Sequence, residues 1–183
     1  RLVIVNTGKG HADLSQEYSE IPEEMKAAAK VLGVELLHET TLDQLLAHVN
    51  EITDDRAVLR AIHFFEETAR VERAADAIGE EDYTEFLKLM DESGRSSWEL
   101  LQNCYSLQNC HEQKISLMLA LTQLFLNKIG GGICRVHGGG FAGVIATIVP
   151  ETEMENYVAY ISQYVGKENV YPMDIRAVGA AHI

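Results

Sequence analysis

Four glycines fall within six positions of the chain, in the tract Val136-His137-Gly138-Gly139-Gly140-Phe141-Ala142-Gly143. So many absent side chains leave backbone N–H groups open, and such a turn can cradle an anion or admit another backbone or a ligand at close range. A hairpin whose glycines only supply positive φ is the plainer alternative. A dinucleotide-binding turn needs a helix after its glycines, yet Val144-Ile145-Ala146-Thr147-Ile148-Val149 is β-branched and reads as a strand. The Lys-Ser/Thr pair of a P-loop is missing as well, so neither nucleotide-loop reading fits. A second candidate is Tyr18, at the end of Ser15-Gln16-Glu17-Tyr18. A phenol is a fixed donor and acceptor on a stacking ring, suited to a ligand hydroxyl; a half-buried ring under a loop is the alternative. The nearby carboxylates Asp13 and Glu17 read as solvated loop groups. His38, His48, His111 and His182 lack a second ligand at metal spacing, so no metal site is expected. His137 reads as a structural residue flanking the hairpin.

These residues need elements to position them. Residues 2–7 form an apolar, β-branched run that reads as a buried strand. Proline suits the first turn of a helix, so a helix is predicted from Ile21-Pro22 through Met25, Ala28, Ala29 and Leu32 to Gly33. Thr41 is placed to cap a short helix carrying Leu42, Leu45 and Leu46. Asp54 and Asp55 open a long helix whose apolar face is Val58, Ala61, Ile62, Phe65 and Ala69, and Gly79 ends it. On that helix Arg60, His63, Glu67 and Arg70 share the opposite face, predicted to be solvated and ion-paired. Tyr83, Phe86, Leu87 and Met90 mark the next helix, and 94–110 reads as a partly looped crossing. Residues 115–129 are apolar nearly all round, which predicts a helix buried on most sides, stopped by Gly130-Gly131-Gly132. Strands at 133–136 and 144–149, an amphipathic helix through Met154, Tyr157, Val158, Ile161, Tyr164 and Val165, and a strand at 174–178 complete the chain.

Without the extra helices, the order is β-α-β-β-α-β, the split unit of an antiparallel sheet. An α+β fold of ferredoxin-like split β-α-β type with several additional helices is therefore expected, as a single domain over 1–183. With 46% apolar and 23% charged residues among 183, the chain can bury a core. The net charge of −13 with no basic tract argues against nucleic acid and anionic membrane partners. Cys104, Cys110 and Cys134 lack disulfide or zinc spacing. They read as buried thiols of a cytoplasmic protein. No signal peptide is visible, and no run of about 18 apolar residues could span a bilayer. Arg1 leads directly into Leu2-Val3-Ile4-Val5, as though the sequence were cut from a longer one.

Arg135 to Gly143 resembles the third motif of the GHMP kinases, a Gly-Gly-Gly-Phe-Gly-Gly-type turn, with Ala142 at a position often held by glycine. Val5-Asn6-Thr7-Gly8-Lys9-Gly10-His11 followed by Ser15 to Tyr18 resembles the galactokinase stretch in which an Asn-Ser/Thr strand end leads to Ser-x-Glu-Tyr. Arg56 to Val71 resembles that family's helix of Arg-x-x-His and Glu-x-x-Arg-Val, and Leu89 to Ser96 its Leu-Met-x-Glu-Ser-His-x-Ser segment. The tracts cover most of 1–96 and 130–149, while 98–128 matches only in kind. Two departures stand out: Gly10 where a basic residue is usual, and Ser19-Glu20-Ile21-Pro22-Glu23-Glu24 where paired arginines follow the tyrosine.

The resemblance implies the carboxy-terminal, GHMP-type half of a two-domain galactokinase. Such an enzyme moves the ATP γ-phosphate to the anomeric hydroxyl of galactose. It implies that Tyr18 contacts the sugar and that Gly138, Gly139, Gly140 and Gly143 form an active-site turn lying against the phosphate loop of the other domain. ATP and Mg²⁺ would be held mainly by that amino-terminal domain, together with the catalytic Asp, so no catalytic residue is expected within 1–183 and the piece alone should be inactive. Another GHMP kinase, or a non-catalytic sensor of galactokinase shape, is the alternative.

Overall fold

The computed structural model describes residues 1–8, 14–175 and 178, so Lys9, Gly10, His11, Asp13 and His182 lie outside the described residues. Four strands form one antiparallel sheet: β1 (Leu2–Asn6), β2 (Ile133–His137), β3 (Val144–Ile148) and β4 (Val170–Met173). Their spatial order is β2-β3-β1-β4. β1 pairs with β3 through Val5 opposite Ile145 and Val3 opposite Thr147, and Val136 stands opposite Ile145 on β2. With the crossover helix α5 (Lys114–Ile129) between β1 and β2 and α6 (Met154–Val165) between β3 and β4, this is the expected split β-α-β sheet.

Strand alternation decides what each face carries. Val3, Val5, Cys134, Val136, Ile145 and Val170 join Ile115, Met118, Leu119, Tyr157 and Ile161 of α5 and α6 in the main core. Tyr157 is wholly buried, and its hydroxyl lies 2.9 Å from both Thr122 Oγ1 on α5 and Thr147 Oγ1 on β3. Burial pushes this phenol up to about 12, so it stays protonated and bridges the three elements. A second apolar cluster joins α1 (Ser15–Val31), α2 (Leu42–Ala47) and α3 (Asp55–Gly79) through Ala28, Ala29, Leu45 and Ala61. The caps fall where side-chain chemistry places them: Thr41 accepts from Gln44 N–H, and Asp54 from Arg56 and Ala57 N–H.

Several expectations change. α1 begins at Ser15, and Pro22 lies inside it. The proline forfeits one backbone bond to the Tyr18 carbonyl, but tertiary contacts of Glu17 and Tyr18 hold the first turns. The face of Arg60, His63 and Arg70 is buried, with 1%, 8% and 8% exposure, because α4 (Tyr83–Ser96) and the π-helical turn Ser97–Leu101 pack over it. On α4 the buried positions are Leu89, Ser93, Gly94 and Ser96, while Tyr83 is exposed. Small residues there let the helix close on β2, where a Cβ on Gly94 would meet Arg135 Cβ at 2.9 Å. α5 buries one face and leaves Leu117 and Leu124 exposed, so its apolarity overstated its burial among the described residues. A strand unexpected from sequence, Val170–Met173, lies at the sheet edge, where Pro172 needs no outward partner; of the expected strand 174–178, Asp174, Ile175 and Val178 are not in a strand, and Arg176 and Ala177 lie outside the described residues. No helix among the described residues is long and apolar enough to cross a membrane.

Candidate functional site

The glycine tract is the connection between β2 and β3, and three separate segments hold it. Gly138, Gly140 and Gly143 have φ of 78°, 83° and 96°, a region that costs a residue with a Cβ. From the end of β1, Thr7 donates through its N–H at 2.9 Å and its hydroxyl at 2.8 Å to the Gly143 carbonyl. From α1, the Tyr18 hydroxyl donates to the Gly140 carbonyl at 2.7 Å. From the loop after the π-turn, the Asn103 carboxamide donates to Gly139 O at 3.1 Å, and Asn103 O accepts the Phe141 N–H at 2.5 Å.

Phe141 is a non-glycine residue at φ 55°, and its neighbour Ala142 donates back to Gly140 O at 2.6 Å. A strained backbone of this kind persists only where its surroundings over-determine it. Here the surroundings are Tyr18 and Asn103. The Tyr18 ring meets Phe141 edge-on at 5.3 Å between centroids and lies so close to Gly139 that a Cβ there would stand 2.5 Å from Tyr18 Cε1. Gly140, Phe141 and Ala142 are buried, whereas His137, Gly138 and Gly139 face outward.

The structure therefore brings Tyr18 and the glycine turn together. Tyr18 occupies the space that a side chain at Gly139 would take and Asn103 the space at Gly140, while Gly138 is set apart by its positive φ alone. The Tyr18 hydroxyl spends its proton on Gly140, and desolvation raises its pKa, so it remains a phenol.

Behind the turn, a polar network ties β2 to the two long helices. Arg135 Nη1 donates to Ser93 Oγ at 2.6 Å, and Ser93 in turn donates to Glu67 at 2.5 Å. Glu67 pairs with Arg70 at 2.9 Å. His63 Nδ1 lies 2.8 Å from Ser96 Oγ, and burial, helped by Arg70 and Arg135, lowers its pKa against the pull of Glu67. Burial likewise lowers the pKa of Arg135. The three tracts 56–71, 89–96 and 135–143 thus meet in one hydrogen-bonded cluster.

The acidic tract after Tyr18 faces α3. Glu20 accepts from Arg56 at 2.9 Å, and Glu24 holds Arg56 and, at 2.8 Å, Arg60. Glu17 is 4% exposed rather than solvated: its Oε1 accepts from Ser106, and its Oε2 has no hydrogen-bond partner. Asn103 and Ser106 were missed from sequence, where both fell within the partly looped crossing 94–110. His38, His111 and His137 are exposed, and His48 bonds the Gln44 carbonyl at 2.9 Å. Among the described residues no three His, Cys, Asp or Glu gather in a metal-holding group.

No protein-family model matches the chain. Curated relatives do. The galactokinase of Mannheimia succiniciproducens is 30% identical over 156 residues, 84% of this chain and 38% of the relative. The galactokinases of Actinobacillus pleuropneumoniae serotype 5b and Haemophilus influenzae Rd are 27% and 29% identical over 91% and 85% of the chain, and 42% and 38% of their own lengths. The chain thus spans about two fifths of the curated relatives it matches. A crystal structure of Lactococcus lactis galactokinase complexed with galactose superposes with a TM-score of 0.73 at 22% identity. It covers 93% of this chain and 43% of that one, a likeness of fold. The galactokinase resemblance carried by the motifs holds across most of the chain.

Proposed function

We propose, for a chain that resembles the galactokinases along most of its length, that it is the carboxy-terminal domain of a two-domain cytoplasmic galactokinase. In that reading the parent transfers the γ-phosphate of ATP to the anomeric hydroxyl of galactose, giving galactose 1-phosphate and ADP. The attacking atom is the sugar's anomeric oxygen, its proton leaves to a base, and the β–γ bridging oxygen of ATP departs with the electron pair. ATP and Mg²⁺ supply the phosphoryl group and charge neutralisation. Following the resemblance, the reading assigns both, with the phosphate loop and the base, to the amino-terminal domain.

What this chain contributes is position. The supporting observation is the bond from Tyr18 hydroxyl to Gly140 O, which fixes the phenol that the resemblance assigns to the sugar against the glycine turn. Thr7, Asn103 and the Arg135–Ser93–Glu67 network hold that turn against β1, α3 and α4. The outward Gly138 and Gly139 present bare backbone to the partner domain. Alone, the 183 residues transfer no phosphate in this reading.

Steady-state kinetics of the full-length parent test it. Tyr18→Phe is expected to lower kcat/KM for galactose about tenfold, the worth of one good hydrogen bond, with KM for ATP little changed. Equal loss toward both substrates would remove Tyr18 from the sugar site. Saturable galactose binding with no turnover would favour a non-catalytic sensor instead.

A further inference from the structure

Beside the glycine turn, α1, α3 and the loop after the π-turn line a cavity of about 200 Å³. Its polar lining includes Glu17, Glu20, Arg56, Arg60, Gln102 and Gln108, and the rings of Tyr105 and Phe141 form apolar wall. Two observations mark it as more than a gap. Glu17, 4% exposed, leaves its Oε2 without a hydrogen-bond partner, a costly state for a buried carboxylate. Gln102, on the rim, is held at φ 58°, and Phe141 on the opposite wall at φ 55°, two of the three non-glycine residues with positive φ among those described.

The charges select the ligand class. Arg56 and Arg60 are engaged by Glu20 and Glu24, so no surplus cation draws an anion in. A cationic ligand reaching Glu17 would meet both guanidinium groups. A hydroxyl avoids both conflicts: it donates to the carboxylate and accepts from the side-chain amides of Gln102 and Gln108. The volume is below that of drug-sized sites, which start at roughly 300 Å³, and suits a single small ring whose C–H face lies on an aromatic wall.

We infer that this cavity is a second binding site, for a neutral polyhydroxylated molecule of monosaccharide size, separate from the Tyr18 hydroxyl. Phe141 touches Tyr18 on one side and lines the cavity on the other.

The test is a titration of the ¹⁵N-labelled 183-residue chain with galactose, glucose and myo-inositol, and with phosphate and ethylammonium as charged comparators. At least one polyol is expected to saturate with a Kd of roughly 1–10 mM, moving the amides of Gln102, Gln108 and Phe141. Glu17→Gln is expected to weaken it about tenfold and Gln108→Ala about threefold, while Tyr18→Phe leaves it unchanged. Should Glu17→Gln fail to fold, Gln102→Ala and Gln108→Ala decide on the exposed rim. The inference is overturned if no polyol saturates by about 100 mM, if the rim variants bind like the parent chain, or if a charged comparator binds more tightly. Loss of binding on Tyr18→Phe would overturn it too, by moving the sugar to the glycine turn, and would leave the kinase reading standing.

Discussion

Alanine placed in turn at Gly138, Gly139 and Gly140 separates three physical costs that the tract combines. At Gly138 the added Cβ meets nothing within 4 Å, but φ is 78°. The cost is left-handed strain of about 1–2 kcal/mol, partly offset by the lower entropy of an unfolded alanine. Gly139 lies outside the positive-φ set, so it is free of that strain. Its Cβ would instead stand 2.5 Å from Tyr18 Cε1, and the ring must swing away. Overpacking of about 1–3 kcal/mol and the lost Tyr18–Gly140 hydrogen bond, about 1 kcal/mol, give a net cost near 2–3 kcal/mol. Gly140 combines φ 83° with a clash against the Asn103 backbone carbonyl, itself held by Phe141 N–H, so about 3–5 kcal/mol is expected.

Urea unfolding followed by the single tryptophan, Trp98, measures all three. The decisive arm is a double-mutant cycle. In a Tyr18→Ala background, Gly139→Ala is expected to become neutral, a coupling of about 2 kcal/mol, whereas Gly138→Ala keeps its full cost. If Gly139→Ala is as damaging without the Tyr18 ring as with it, the ring is not what the glycine accommodates, and the reason given for Gly139 fails.

Three further outcomes follow from buried polar groups. Arg60→Ala removes one of the two arginines that Glu24 pairs with and the side-chain donor of the Leu101 carbonyl, and is expected to cost about 2–4 kcal/mol, with Arg60→Met costing less, both read by urea midpoint. Burial holds His63 neutral in the folded chain, so below about pH 6.5 the unfolded chain takes up the proton first and stability falls. His63→Gln should flatten the pH dependence of the urea midpoint between pH 7.5 and 5.5, and an unchanged slope would show that His63 does not carry it. Tyr157→Phe strands the Thr122 and Thr147 hydroxyls and is expected to cost about 1–2 kcal/mol by thermal or urea unfolding.

The sheet was legible because its signals are local. β-branched runs and glycine punctuation placed β1, β2 and β3, and their order with α5 and α6 named the topology. Side-chain caps at Thr41 and Asp54 were legible for the same reason. What failed was tertiary. Periodicity gave α3 one apolar and one polar face, and polarity was taken as exposure; Arg60, His63 and Arg70 are buried because α4 and the π-turn pack over them and partners on α1, α4 and the π-turn pair with them. Pro22 was read by its local preference, and contacts of Glu17 and Tyr18 extended α1 past it. The glycine turn was found by composition, but Asn103, which bonds it twice, carries no sequence signal beyond a loop residue.

The acidic tract after Tyr18 shows how a departure from a family pattern can be structural. Where the resembled galactokinases carry paired arginines, Glu20 and Glu24 point at α3 and are neutralised there by Arg56 and Arg60. Successive helical positions differ by about 100°, so this ion-paired face is turned away from the one Tyr18 gives to Gly140. Glu17, adjacent to Tyr18, likewise bonds Ser106 rather than the turn. The charge change therefore acts on the α1–α3 contact and on the cavity beside it, while Tyr18 keeps its contacts with Gly139, Gly140 and Phe141. Glu20→Arg would then set a second positive charge against Arg56 and destabilise the helix pair before it altered the tyrosine's reach.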